Sequence, residues 1–354
     1  MKILHTADIH LIEYGDSRWK TLRKLIELGK AEKIEIFVVS GDLFDKNIDA
    51  EKLRPKIRKV FSNTGFKIIL IPGNHDSNSF SSEMYFGEDV VILKDLYKPF
   101  EYKDVRIWGL PFEPIEEEKV LNKLHSLADK LAKDKVNILL FHGELLDVFF
   151  RREDFGEEGE ERYMPVKLLY FEDLNIDYIL AGHFHSKFDV WKLENGGYFV
   201  YPGSPISITK RETGQRKVNI FEVGKPPTEY FLNTPCFEEV FIEFDPFIDK
   251  SPVEMVEEAL KNTLPESIIV LTIAGYINSE KIKINESNLV ELIKEITKGK
   301  TIAEEHLEFK DIHTILEDDL FKSFIKKIEE GEYDQGKKKQ LRNVAIEAMM
   351  KARS

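Results

Sequence analysis

Short runs of unbroken apolar residues recur along the chain, and each one ends in polar residues. The run Ile68-Ile69-Leu70-Ile71 is followed at once by Pro72-Gly73-Asn74-His75-Asp76. Consecutive aliphatics with β-branched members predict a strand buried on both faces. Pro72 and Gly73 stop it, since proline cannot extend the ladder and glycine tolerates a sharp turn. The same design appears where residues 2–6 run into Asp8 and His10, and where residues 36–39 run into Ser40-Gly41-Asp42. It appears again where residues 138–141 reach His142-Gly143, and where residues 178–181 reach Gly182-His183-Phe184-His185. Open α/β sheets present chemistry at their carboxyl edge in this way. The runs are therefore expected to deliver their polar ends to one rim of one sheet.

Helical spacing fills the gaps between the runs. Trp19, Leu22, Leu25 and Ile26 share one face of a helix opened by Asp16 or Ser17. Val120, Leu124, Leu127 and Leu131 repeat along another, after Glu116-Glu117-Glu118. Strand and helix in alternation predict an α/β sheet with helices on both faces. Residues 154–162 read as an acidic, glycine-containing solvated loop. After His185 the pattern shortens to strands at 188–193, 198–201, 218–223 and 229–232, with turns at Asn195-Gly196-Gly197 and Lys225-Pro226-Pro227. These strands are expected to complete a second sheet packed on the first.

Near Pro235 a new unit begins, with strands at 239–244, 268–277 and 301–309 and helices at 252–262 and 286–297. Two amphipathic helices follow. The first aligns Leu320, Phe321, Phe324, Ile325 and Ile328; the second aligns Leu341, Val344, Ala345 and Ala348. Either they fold back on the chain's own domains or they dock on a partner. The predicted divisions are thus 1–234, 235–312 and 313–354.

Composition narrows the class. A hydrophobic content of 42% supports a core, and no apolar run approaches the roughly 18 residues that span a bilayer. The strand-like opening differs from a signal peptide, and the lone Cys236 excludes an internal disulfide framework, so a cytoplasmic protein is expected, with Cys236 as a small buried residue. The net charge of −13 argues against a generic nucleic-acid binder without excluding one, because divalent cations invert the local field. Basic residues do gather at Lys52, Arg54, Lys56, Arg58 and Lys59, and at Lys210, Arg211, Arg216 and Lys217. Each group reads either as a solvated face or as a DNA contact.

The collected strand ends offer Asp8, His10, Asp42, Asn74, His75, His142, His183 and His185. Mixed imidazole and oxygen donors suit a borderline metal such as manganese, iron or zinc. A carboxylate such as Asp42 has two oxygens with which to bridge two ions, and paired ions can bind a phosphoryl oxygen and activate water for in-line displacement. Two divalent ions, with Mn²⁺ supporting activity far better than Ca²⁺, are the expectation. His5, His125, His306 and His313 lack such a setting and read as structural or surface residues.

Taken together, Asp8-x-His10, Gly41-Asp42-x-x-Asp45, Gly73-Asn74-His75-Asp76, His142-Gly143 and Gly182-His183-x-His185 resemble the calcineurin-like metallophosphoesterase superfamily. Within it the chain is similar to the SbcD / Mre-eleven nucleases of double-strand-break repair. That branch is favoured by the opening Lys2-Ile3-Leu4-His5-Thr6-Ala7-Asp8-Ile9-His10-Leu11 and by Tyr201-Pro202-Gly203-Ser204-Pro205. The motifs cover about residues 1–223. The unit from about 235 to 312 matches the family's capping domain only in position and element order, and the tail resembles its partner-binding segment more faintly.

The resemblance implies a two-sheet αββα sandwich with a smaller α/β capping, DNA-binding domain and C-terminal helices. It implies one metal on Asp8, His10, Asp42 and His185, and a second on Asp42, Asn74, His142 and His183. His75 would face the scissile phosphate, to stabilise the transition state or protonate the leaving oxygen. DNA and an SbcC-like coiled-coil ATPase are the implied partners; a homodimer is left open, and no membrane partner is expected. Two positions depart from the pattern. Ile12 replaces the glycine usual after Asp-x-His-Leu, and Asp45 stands where many members carry a histidine. Asp45 is expected to accept a hydrogen bond from His75 and orient it; the alternative is a helix N-cap.

The leading expectation is a metal-dependent DNA exonuclease or endonuclease. The nearest rival is a phosphatase or phosphodiesterase acting on small or protein substrates with the same metals, which the acidic composition favours. A non-enzymatic scaffold is the third reading, and the complete donor set weighs against it.

Overall fold

A computed structural model describes residues 1–80, 85–148 and 163–353, so the loop predicted at 154–162 lies outside the described residues. The chain divides into two compact units, Met1–Phe237 and Glu238–Ser354.

The first unit contains β1 (Lys2–Thr6), α1 (Ser17–Ala31), β2 (Ile36–Ser40), α2 (Ala50–Phe61), β3 (Lys67–Ile71) and β4 (Val90–Ile92). It continues with β5 (Phe100–Tyr102), β6 (Val105–Leu110), α3 (Glu117–Ala128), β7 (Val136–His142), α4 (Leu169–Glu172) and β8 (Tyr178–Gly182). Its last strands are β9 (Asp189–Lys192), β10 (Tyr198–Tyr201), β11 (Lys217–Glu222) and β12 (Glu229–Phe231). They form two six-stranded sheets, ordered β12-β11-β1-β2-β3-β4 and β5-β6-β7-β8-β10-β9.

Side-chain alternation explains the layering. Successive residues of a strand face opposite sides. Ile3, Ile36, Val38, Ile69 and Ile71 of the first sheet therefore meet Ile107, Ile138, Leu140 and Leu180 of the second in one core. The intervening Leu4, Phe37, Val39, Ile68 and Leu70 face outward, where Trp19, Leu22, Leu25 and Ile26 of α1 and Leu53, Ile57 and Phe61 of α2 cover them. On the far side Leu139, Phe141 and Ile179 pack under Val120, Leu124 and Leu127 of α3. The result is an αββα sandwich. Asp16 caps α1, its carboxylate accepting the Trp19 N–H at 2.6 Å.

Two expectations are corrected here. The chemistry-bearing strands do not share one sheet: β1, β2 and β3 lie in the first, β7 and β8 in the second. Nor do the late strands complete a second sheet as a block. β9 and β10 join β8, whereas β11 pairs antiparallel with β1 and carries β12 with it.

In the second unit β13 (Cys236–Phe244), α5 (Pro252–Lys261), β14 (Ser267–Ile277), α6 (Ser279–Ile282), α7 (Glu286–Thr297) and β15 (Thr301–Asp311) build a three-stranded sheet in sequence order, with β14 and β15 parallel. Val256, Leu260, Leu289 and Ile293 of α5 and α7 bury its apolar residues. Cys236 is buried. Helices α8 (His313–Leu316), α9 (Asp319–Glu330) and α10 (Gln335–Arg353) follow. The tail stripe is not uniformly exposed: Phe321 packs against Ile312, Ile315 and Ile346 and Ile328 is buried, while Leu320 stays 74% and Val344 65% exposed. No described helix is long and apolar enough to cross a membrane.

Candidate metal centre

The carboxyl ends of β1, β2, β3, β7 and β8 meet where the two sheets approach closely. Ser40 Oγ donates to the Leu180 carbonyl across the sheets at 2.7 Å. A Cβ on Gly182 would lie 2.0 Å from the Ser40 carbonyl oxygen, so only glycine allows this approach. The loops after β1 and β2 are zipped together by main-chain bonds, Asp8 N–H to Gly41 O at 3.1 Å and His10 N–H to Asp42 O at 2.9 Å. Asp8, His10, Asp42 and His183 hold positive φ angles of 55°, 50°, 52° and 96°. Such backbone costs on the order of 1–3 kcal/mol per residue and persists only where its surroundings enforce it.

Among the described residues, three groups place donor atoms within 4.8 Å of one another: Asp8 with His10 and His185, Asp8 with Asp42 and His142, and His10 with Asp45 and His75. Asp8, His10, Asp42, His142, His183 and His185 are buried. His10 Nε2 and His185 Nε2 face each other at 3.2 Å, and Asp8 Oδ1 lies 3.8 Å from His185 Nε2. Both carboxylate oxygens of Asp8 accept the His183 N–H, at 3.1 and 3.0 Å. Asp42 Oδ1 accepts the His75 N–H at 2.9 Å. Among the described residues its Oδ2 has no hydrogen-bond partner, and it stands between two rings, 3.4 Å from His142 Nε2 and 3.7 Å from His10 Nε2.

These contacts test whether a cation fits. The Nδ1–H of His142 donates to the Ser40 carbonyl at 2.8 Å, which leaves Nε2 as an acceptor when the ring is neutral. That lone pair then points at two other acceptors, Asn74 Oδ1 at 2.8 Å and Asp42 Oδ2. Converging acceptors in a buried place require a proton or a metal ion between them. The protonation energetics agree. Burial disfavours a charged ring, yet the Asp42 carboxylate outweighs it and lifts His142 to about 9. Burial would raise Asp42, but His142 and His10 hold it well below the usual carboxylate range. The donor set fits divalent ions. His183 lies beside His142, ring centroids 5.3 Å apart, and is not in the three groups.

His75 sits at the edge, its ring edge-on to His10 with centroids 4.5 Å apart. Its Nδ1 is 3.0 Å from Asp45 Oδ1. Arg18 donates to Asp45 Oδ2 at 2.7 Å and to the His10 carbonyl at 2.6 Å. Burial would raise Asp45, but bonds from His10, His75 and Arg18 keep it far below its usual range. The N-cap of α2 is Asp49, so Asp45 does not cap that helix. A cleft of about 500 Å³ opens beside His75, lined in part by Lys46, Asn74 and Asn78.

Arg18 and Arg216 carry no motif of their own, and Asp76 lies in the motif at residues 73–76 without a role read for it. Arg18 lies on a helix among other charged residues, where nothing in the sequence sets it apart from surface. Asp76 is buried and accepts the Gly73 and Phe44 N–H groups at 2.7 and 3.1 Å, tying two loops; burial, then Asp42, pushes it up to about 7. Arg216 leaves the basic patch to which its neighbours assigned it. It is only 3% exposed, and its guanidinium donates to main-chain carbonyls, including that of His185.

Residues 1–187 match the family model described as calcineurin-like phosphoesterase. The chain is 29% identical over 258 residues to the SbcD subunit of the nuclease SbcCD from Staphylococcus saprophyticus, a match spanning 61% of this chain and 64% of the relative. Similar solved structures include a protein of Thermus thermophilus (14% identity, TM-score 0.41, covering 61% of this chain and 92% of that one). A dimetal phosphatase from Danio rerio is another (12% identity, TM-score 0.41, covering 62% and 91%).

Proposed function

The chain belongs to the calcineurin-like phosphoesterase family, a family of metal-dependent phosphoester hydrolases, and on that premise we propose that it is a two-metal DNA nuclease of the SbcD type. The observation that carries the DNA substrate is the 29% identity to a nuclease subunit, which covers more of the chain than residues 1–187 make up. The match includes under two thirds of that relative's length, so double-strand-break repair and pairing with an SbcC-like ATPase belong to the proposal as well.

In this reading Asp8, His10, Asp42 and His185 hold one ion, and Asp42, Asn74, His142 and His183 the other, with Mn²⁺ preferred by the mixed donors. Two bound ions supply positive charge to the phosphoryl group and lower the pKa of an attacking water. The protein's residues do the rest. Asp42, held through its Oδ1 by the His75 N–H, keeps Oδ2 turned to both His10 and His142. Asp45, fixed by Arg18, orients the His75 ring, whose other nitrogen can hold the proton that the leaving oxygen takes. The cleft beside His75 receives the strand.

The test offers purified protein with Mn²⁺ linear duplex DNA, single-stranded DNA and a phosphomonoester, with and without the ATPase. Degradation of DNA is the expected result. Fast phosphomonoester turnover with all DNA left intact, partner present, would hand the chain to the phosphatase reading that its net charge of −13 favours.

A further inference from the structure

We propose that Glu212 is a positioning residue for His185, presenting the ring's Nε2 to the metal centre from the opposite side of the imidazole. The inference rests on the reading of His185 as a ligand. Glu212 is fully buried, and its Oε1 lies 3.5 Å from His185 Nδ1. Among the described residues Nδ1 has no nearer hydrogen-bond partner, while Nε2 faces His10 Nε2 at 3.2 Å. The separation exceeds the roughly 2.7–3.2 Å of an ordinary N–H···O bond. A carboxylate at Nδ1 nonetheless selects the Nδ1–H tautomer, leaving the Nε2 lone pair on the site side.

The carboxylate is itself immobilised. Oε2 accepts from Ser204 Oγ at 2.7 Å and from the Ile208 N–H at 2.9 Å. Oε1 accepts from the Thr209 N–H at 3.1 Å and Thr209 Oγ1 at 3.2 Å. Four hydrogen bonds thus fix the buried carboxylate, and the imidazole lies beyond them at 3.5 Å. Arg216 closes the knot from the main-chain side. It donates to the carbonyls of His185, Ser186 and Ser204, and Ser204 N–H adds a 3.0 Å bond to the His185 carbonyl. A buried negative charge without a counter-charge would be costly, and Arg216 supplies one. His185 is therefore held at its backbone by Arg216 and at its ring by Glu212, both from residues 208–216, after the Pro-Gly-Ser turn.

The full-length protein is tested as wild type, Glu212→Asp, Glu212→Gln and Ser204→Ala. Ser204→Ala loosens the same knot without touching Nδ1. Mn²⁺ titration by calorimetry counts sites and affinities, and melting of the metal-free protein reports folding. The Glu212 variants should lose roughly ten- to a hundred-fold in affinity at one of two sites, and Ser204→Ala should lose less than three-fold at a similar melting temperature. Equal losses in Ser204→Ala would overturn the proposal by making the effect structural. Unchanged affinity in folded Glu212 variants would overturn it outright. Should neither Glu212 variant fold, the tautomer of His185 in the metal-free wild type, read by ¹⁵N-histidine NMR, decides: Nδ1–H sustains the assignment and Nε2–H refutes it. A wild type that binds no Mn²⁺ would bring down the two-metal reading, and this inference with it.

Discussion

Gly73→Ala is a one-carbon probe of the metal centre. A Cβ at position 73 would lie 2.1 Å from Asp42 Oδ1 and 2.7 Å from Asp42 Cγ, about 0.9 Å inside the 3.0 Å that such contacts keep. The neighbour is a buried carboxylate at the head of a main-chain ladder, not the end of a flexible side chain, so it cannot yield cheaply. Overpacking of this kind costs about 1–3 kcal/mol. The carboxylate must shift by around an ångström, and misplacement on that scale costs on the order of 10²-fold in rate. Gly196→Ala is the control. It sits at a φ of +92° and its Cβ would meet nothing within 4 Å among the described residues, so it carries backbone strain and no steric push on the site. Thermal melts, Mn²⁺ titration and phosphodiester hydrolysis on both variants separate the effects. Both should melt lower; only Gly73→Ala should lose metal affinity and activity. A folded Gly73→Ala protein with two ions bound at wild-type affinity and full activity would show that Asp42 is not where the metals are held.

Asp45→Asn removes the acceptor charge beside His75 Nδ1 and Arg18; the turnover rate should fall by roughly 10²-fold or more while Mn²⁺ stoichiometry stays at two, and a loss of bound metal instead would make Asp45 a ligand. Metal-free protein should lose stability as pH rises from about 6.5 to 9: His142 is raised to about 9, so its contribution is whole below the unfolded value and disappears as the ring deprotonates. Mn²⁺ affinity should climb over the same window, because metal and proton compete for that ring; melting and titration across pH check both, and a stability that rises over this range would contradict the assignment. In the tail, Leu320→Glu with Val344→Glu changes exposed side chains, so folding should hold, and on the SbcD-type proposal pull-down of the proposed ATPase should be lost. Phe321→Ala should instead destabilise the second unit by about 3–5 kcal/mol, since that ring is buried against Ile312 and Ile315.

Local patterns were legible in the sequence, and partner choice between distant strands was not. An unbroken apolar run at residues 36–39 identifies a strand buried on both faces without saying which strand lies next to it. β11 pairs with β1 although more than two hundred residues separate Ile3 from Phe221. Nothing within β11 distinguishes it from β10, which joined the other sheet. The tail fails for a related reason. Phe321, Ile325 and Ile328 repeat at helical spacing, and so do Leu320 and Phe324, displaced by about 100° around the axis. Periodicity finds both stripes, and only the presence of Ile312, Ile315 and Ile346 selects the one that turns inward.

The rim shows the same division between residue type and surroundings. Asp8, His10, Asp42, His142 and His185 stood out because a metal-binding side chain directly after a buried strand has few other uses, and the structure gathers them. Glu212 and Arg216 lie in a segment where Lys210, Arg211 and Lys217 are also charged, and formal charge alone gives no ground for separating them. What separates them is a fold-back: the turn at Pro202-Gly203-Ser204 leads the chain behind His185, so that Glu212 reaches the Ser204 hydroxyl and Arg216 the Ser204 carbonyl. Gly203 makes that reversal at a φ of +71°, where a Cβ would press on the His185 carbonyl oxygen at 3.1 Å. The Pro-Gly-Ser turn is therefore more than a marker of resemblance: it is the device that carries a buried acid and a buried base to the back of a candidate ligand.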